Sequence, residues 1–297
     1  MFDRILVALD GSQRSEATLP YAEALATAFD SGLVLVRALQ FAPLTTGPVE
    51  PYIAPQVYQE LYDTESQAAG AYLERVAAGL RERGRRVRTM VVPGHPAGAI
   101  LDTAEAEGVG LIAMATHGRS GLARFALGSI AELVLRATRH PLLLVRTAGP
   151  ARFTRVLLPL DGSPLAETVL PLARDLAAGL GLEVVLLRVA PNAAERTDAR
   201  VYLEAAAADL RAGGLTVATR VTEGAAAEEI LQVTAAEGIS PIAMATRGRG
   251  GPARWVLGSV AESVVRASTV PVLVLRGTGE AAEPAAAEPA ARADGSR

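Results

Sequence analysis

An internal duplication constrains this chain more than any single motif, because a segment that occurs twice must satisfy the same packing twice. Arg4-Ile5-Leu6-Val7-Ala8-Leu9-Asp10-Gly11-Ser12 returns 151 residues later as Arg155-Val156-Leu157-Leu158-Pro159-Leu160-Asp161-Gly162-Ser163. Met114-Ala115-Thr116-His117-Gly118-Arg119 returns as Met244-Ala245-Thr246-Arg247-Gly248-Arg249, and Leu127-Gly128-Ser129-Ile130 as Leu257-Gly258-Ser259-Val260, now at an offset of 130. The second copy is therefore about 21 residues shorter, most of them missing opposite the proline-bearing stretch 41–62. The reading is two domains, 1–147 and 152–278. They are joined by Thr147-Ala148-Gly149-Pro150 and followed at 279–297 by a tail of Ala, Glu, Pro and Gly that lacks the apolar side chains of a core and is expected to be disordered.

Within each copy, short runs that are apolar throughout alternate with amphipathic stretches. In the first copy strands are expected at 4–9, 33–39, 87–92, 109–115 and 141–146, and helices at about 13–30, 57–82, 96–107 and 129–138. Uninterrupted apolar strands separated by helices indicate a parallel sheet covered on both faces. Ser163-Pro164 reads as a helix start. Ser129 with Glu132, and Ser259 with Glu262, read as capping boxes.

Composition removes several function classes. With 29 basic against 32 acidic residues and a net charge of −3, the chain lacks the basic surface that a nucleic-acid binder needs. It has no cysteine, hence no disulfide, thiolate metal site or redox switch. Every basic side chain is arginine, so neither Schiff-base chemistry nor a lysine-bearing phosphate loop is available. No apolar run reaches the ~20 residues of a membrane span. Phe2-Asp3-Arg4 leads straight into a strand, so no secretion leader is expected and a cytoplasmic protein is.

Nine residues separate Gly118 from Gly128, and nine separate Gly248 from Gly258. Gly128-Ser129 and Gly258-Ser259 each open a helix, where unpaired amides and the macrodipole favour an anion. Glycine lets backbone approach a phosphate closely. Ser129 and Ser259 can cap the helix or donate to phosphate oxygens, and Arg119 and Arg249 stand where a guanidinium could take two of them. Asp10 and Asp161 end the first strand of each copy. Such a carboxylate suits ribose hydroxyls, an adenine amino group or a Mg²⁺ ion arriving with phosphates; it also suits a plain Asp-Gly-Ser helix-capping turn. The three histidines have no shared counterparts, and the basic run Arg81–Arg88 reads as a solvated helix end.

These motifs resemble those of the universal stress protein (UspA) family over nearly all of residues 1–278. The ATP-binding branch of that family carries Gly-x-x-Gly, nine residues, then Gly-Ser/Thr; each copy here matches from the second Gly onward, with Ala115 and Ala245 at the first. The resemblance implies five parallel strands in the order 3-2-1-4-5 in each copy, an adenine-nucleotide-hydrolase-like arrangement. It implies an adenine pocket lined by Leu9, Asp10, Ala38 and Met114, with Leu160, Asp161, Val189 and Met244 in the second copy. Phosphates would lie on Ala115, Gly118, Arg119, Gly128, Ser129 and Ile130, and on Ala245, Gly248, Arg249, Gly258, Ser259 and Val260. The expected ligand is ATP or a related adenine nucleotide such as AMP, with Mg²⁺ carried by the nucleotide near Asp10 and Asp161. No catalytic residue is assigned, and hydrolysis, where it occurs, is expected to be slow. The apolar last strands, Pro141–Arg146 and Pro271–Arg276, would pair across an internal pseudo-dimer, with a homodimer of tandem chains as a further arrangement. The alternative function is a ligand-free dimerising scaffold.

Overall fold

Strands such as Ile5-Leu6-Val7-Ala8 have no polar face to offer water, and the chain buries both sides of each between helices. A computed structural model describes residues 2–40, 55–116, 127–146, 151–247 and 258–277. The first half consists of β1 (Arg4–Ala8), α1 (Gln13–Glu16), α2 (Leu19–Phe29), β2 (Gly32–Leu39), α3 (Pro55–Glu82), β3 (Val87–Pro93), α4 (Pro96–Ala106), β4 (Leu111–Ala115), α5 (Ser129–Ala137) and β5 (Leu142–Val145). The second half repeats it as β6 (Arg155–Pro159), α6 (Pro164–Glu167), α7 (Leu170–Leu180), β7 (Glu183–Ala190), α8 (Arg196–Ala212), β8 (Val217–Glu223), α9 (Ala226–Ala236), β9 (Ile242–Arg247), α10 (Ser259–Ala267) and β10 (Val272–Gly277). A single 3-10 turn, Ala193–Glu195, precedes α8.

One expected element differs. The helix foreseen at 13–30 is two helices, because a proline ring clashes with the carbonyl four residues back and cannot donate to it. Pro20 sits in the first turn of α2, and α1 stops at Glu16, four residues before it. Pro171 and Glu167 repeat that break between α6 and α7. About half of the second copy's shortening lies in one helix, 28 residues in α3 against 17 in α8, and the rest in the connection that leads into it. The linker Thr147–Pro150 and the tail 279–297 lie outside the described residues.

Read inward from its outer edge, each half has the order 3-2-1-4-5, and the halves share one sheet, β3-β2-β1-β4-β5-β10-β9-β6-β7-β8. Neighbours within a half are parallel. The central pair is antiparallel, with Leu273 opposite Leu143 and Val274 opposite Leu142. The two expected edge strands thus lie side by side inside one chain. Arg146 donates to the carbonyl of Arg266, and Arg276 to that of Arg136, a reciprocal pair of ties.

Alternate residues of each strand feed two cores. Ile5, Val7, Leu33 and Leu35 pack with Leu25, Leu73, Leu176 and Leu203 on the α2/α3/α7/α8 side. Leu6, Val34, Ile112 and Leu142 pack with Ile100, Val134, Ile230 and Val264 on the other. Each fully buried side chain of this size contributes about 1.5–3 kcal/mol. Over the centre, the Phe29 ring of α2 presses on Gly179 of α7 so closely that a Cβ there would overlap it.

Candidate functional site

Beyond the end of β1, the chain must reverse into α1, and Asp10-Gly11-Ser12 does so with Gly11 at φ +86°, which L side chains rarely adopt. Oδ1 of Asp10 accepts from the Ser12 amide at 2.9 Å and from its hydroxyl at 2.6 Å. Ser12 Oγ then accepts from the Ser15 amide at 3.2 Å, capping α1. The second copy repeats this, with Asp161 Oδ1 accepting from Ser163 at 2.9 and 2.6 Å and Ser163 accepting from Ala166, which is the cap foreseen at Ser163-Pro164. The capping turn foreseen for Asp-Gly-Ser is thus present in both copies.

The opposite wall starts where β4 ends, at Ala115 and Thr116. Gly118 and Arg119, and Gly248 and Arg249 in the second copy, lie outside the described residues. The chain re-enters at Leu127, and the Gly128 amide donates to the Thr116 carbonyl at 2.8 Å. Here the capping boxes fail. Gly128 and Gly258 are the flanking residues and, having no side chain, cap neither helix. Ser129 and Ser259 fall one position too late, inside the helix and exposed. Glu132 instead meets Arg136 at 2.7 Å, and Glu262 meets Arg266 at 2.7 Å, as i,i+4 pairs. Gly258 has an ordinary φ of −57°, and a Cβ on it would meet no described atom within 4 Å. Packing among the described residues gives no reason for glycine there.

Between the walls lies a cavity of 260 Å³, close to the lower end of the ~300–1,000 Å³ usual for small-molecule sites. Of the expected first-copy residues, Leu9, Asp10, Ala38, Met114, Ala115, Gly128, Ser129 and Ile130 line it. Sequence reading missed Ser15, Thr116, Val36, Pro96 and Ile100, which line it too. Thr116 has a repeated partner in Thr246, a signal available from the duplication. The lining is mostly aliphatic, with Asp10, Ser15, Thr116 and Ser129 as polar groups. In the second copy Leu160 and Met244 are buried, while Asp161 and Ser259 are exposed. Leu160, Asp161, Val189, Met244, Ala245, Gly258, Ser259 and Val260 hold the corresponding places in the order β7-β6-β9 and at the start of α10.

Asp10 and Asp161 are single carboxylates, and no group of three His, Cys, Asp or Glu that could hold a metal occurs among the described residues. That donor set fits Mg²⁺ arriving with phosphate oxygens, which supply most of its ligands, rather than an all-protein cage. Among the described residues no helix is long and apolar enough to cross a membrane.

A doubly wound arrangement, present twice, with an aliphatic cleft beyond the strand ends of the first half and a helix start on its rim, defines an α/β protein of the kind that places its sites at the carboxyl ends of the strands. A profile of the universal stress protein family matches residues 1–146 and again 152–276. The chain belongs to that family. Universal stress protein Rv2005c of Mycobacterium tuberculosis is 26% identical over 293 residues, covering 92% of this chain and 96% of that protein. Universal stress protein MJ0531 of Methanocaldococcus jannaschii is 31% identical over 146 residues, covering 49% of this chain and 83% of that protein. The crystal structure of a universal stress protein from Archaeoglobus fulgidus superposes with a TM-score of 0.75 at 25% identity, covering 92% of this chain and 98% of its own.

Proposed function

We propose that each half, 1–147 and 152–278, is an adenine-nucleotide-binding module, and that the protein acts by occupancy rather than turnover. The observation that carries this reading is the helix start at Gly128 and Gly258. Each glycine leaves its helix without a cap from its own side chain; the Gly128 start borders a cavity with aliphatic walls and Asp10 at one corner, and at Gly258 the described residues give no packing reason for the glycine. Uncapped amides at the positive end of a helix dipole are an anion site. Leu9, Ala38 and Met114 would face a flat base, the Asp10 carboxylate would take ribose hydroxyls, and Ser129 would donate to phosphate. Leu160, Val189, Met244, Asp161 and Ser259 would do the same in the second half. Gly118, Arg119, Gly248 and Arg249 would complete the phosphate side, and Mg²⁺, where it enters, would come with the phosphates near Asp10 or Asp161. Binding would order the rim and bias the pairing of the two halves, within one chain or in a homodimer of chains.

Titration of the full chain with ATP, AMP and cyclic AMP, with and without Mg²⁺, tests this. Saturable binding of at least one nucleotide is expected. Flat titrations throughout would favour the second reading, a dimerising scaffold without ligand, which Ala115 and Ala245 in place of the family's first glycine support.

A further inference from the structure

The duplication marks a second set of residues, on the side of the sheet away from the cavity. Arg37 and Arg188 correspond at the earlier offset, as do Glu16 and Glu167, and Tyr72 and Tyr202 correspond at the later one. Side chains alternate along a strand, so Arg37 and Arg188 point away from the face that carries Ala38 and Val189. Cζ of Arg188 lies 4.9 Å from the centroid of the Tyr202 ring. The same guanidinium lies against Gly162, where a Cβ would stand 3.2 Å from Cζ and 3.3 Å from Nη2. Gly162, at φ +81°, is the middle of the turn that Asp161 and Ser163 close. The Tyr202 hydroxyl donates to Glu167 Oε1 at 2.9 Å, the last residue of the short helix that this turn starts.

In the second half a planar cation thus touches both an aromatic ring and the backbone of the aspartate turn, and the ring is hydrogen-bonded to the helix that the turn starts. The first half repeats the ring contacts, with Arg37 5.5 Å and Arg75 5.3 Å from the Tyr72 centroid, but its buried Tyr72 hydroxyl has no hydrogen-bond partner among the described residues. Burial, and after it the neighbouring Glu16 and Glu167, push both phenols well above the ordinary tyrosine range, so both hydroxyls keep their protons.

We propose that Arg37 and Arg188 are positioning residues. From behind the sheet each holds its Asp-Gly-Ser turn so that Asp10 or Asp161 meets the nucleoside. The proposal rests on the adenine-nucleotide reading above and adds to it the residues that set the reach of the aspartate. An arginine that only supported the fold would alter all ligands alike. One that aims the aspartate alters recognition of the nucleoside and spares the phosphate side, which is built from α5 and α10.

The test is calorimetric titration of the full chain with adenosine, ATP and inorganic tripolyphosphate. The paired variant Arg37→Gln with Arg188→Gln is expected to bind adenosine about ten-fold more weakly, while tripolyphosphate stays within about two-fold. Arg37→Lys with Arg188→Lys restores the charge but not the planar stack, and is expected to leave adenosine weak. Equal losses for adenosine and tripolyphosphate, no loss for either, or full restoration by lysine would each overturn the proposal. Should circular dichroism show the glutamine pair unfolded, Tyr202→Phe decides: it removes only the tie to Glu167, and an unchanged affinity for adenosine in the second half would overturn the proposal. A wild-type chain that binds none of the three probes overturns the nucleotide reading with it, whereas an unaffected variant of a binding-competent chain overturns this proposal alone.

Discussion

Glycine serves opposite purposes at two positions of the second half, and substitution separates them. Gly162 combines a left-handed φ with the guanidinium of Arg188 lying on its Cα. Gly162→Ala is expected to destabilise the protein by about 1–2 kcal/mol from the backbone alone, read as a lower denaturation midpoint in urea. Gly258 has an ordinary φ, and no described residue crowds it. Gly258→Asp supplies the missing cap and a charge that favours a helix start, gaining a few tenths to ~1 kcal/mol. It also places a carboxylate where the phosphates would lie. The expected outcome is an unchanged or higher midpoint together with loss of one nucleotide per chain by calorimetry. A lower midpoint would place this glycine in the service of the fold. These two glycines also show where reading the chain by motif stops. Both sit in repeated motifs, yet the sequence cannot tell which is required by backbone geometry and which by something arriving from outside. The capping boxes failed for a related reason. Ser-x-x-Glu has the right spacing, but the helix begins one residue early, and Glu132 finds Arg136 on its own helix rather than an amide.

At the level of elements, periodicity located nearly every strand and helix, because strands buried on both faces and one-sided helices leave unmistakable patterns. What it blurred was the α1–α2 boundary, where Pro20 breaks an otherwise continuous amphipathic stretch. The ion-pair cluster at the foot of the second half was not legible either, since its members come from separate elements. Glu237, following α9, meets Arg155 of β6 at 3.0 Å and Arg220 of β8 at 2.8 Å. Burial alone would raise the Glu237 pKa, but Arg220 and Arg155 outweigh it and hold the carboxyl below its ordinary value of 4.5. The sign follows from the lowered folded value: the carboxylate stabilises the fold fully above about pH 4.5 and loses that contribution as acid takes the pH down through the folded pKa. Glu237→Gln is accordingly expected to cost about 1 kcal/mol at pH 7 and progressively less toward pH 3, measured as the difference in urea midpoints across that range. A cost that does not change with pH would mean that packing, not charge, is lost. The Arg–Tyr stacks were missed although the duplication records them, because arginine and tyrosine at single matched positions carry no recognisable motif until the strand and helix are seen to face one another.

Over the whole molecule, the halves share a sheet and a core, so they should melt together. Leu143 is 1% exposed and sits opposite Leu273 at the junction. Leu143→Asp would bury an unpaired charge there, a change of the kind that costs 4 kcal/mol or more. We expect the single calorimetric transition of the parent chain to give way to two in this variant, with a larger hydrodynamic radius by light scattering. One transition at a lower temperature would show that the halves depend on each other throughout rather than at this seam. The duplication and the parallel α/β character were legible in the sequence, because repetition and strands without a polar face mark them. The strand order and the antiparallel meeting of the last strands were expected from the resemblance to universal stress proteins, since apolar runs alone do not say which strand lies beside which. The stacking of Phe29 on Gly179 was not, since neither residue marks itself as part of a helix crossing.

Joining β5 to β10 inside one polypeptide has a consequence for how such a protein would report on its ligand. Two separate subunits come apart on dilution, so their response changes with the amount of protein made. Here the partner is always supplied by the same chain, at an effective concentration set by a connection of a few residues. Whatever signal depends on the seam would therefore be independent of expression level, and would track the ligand alone.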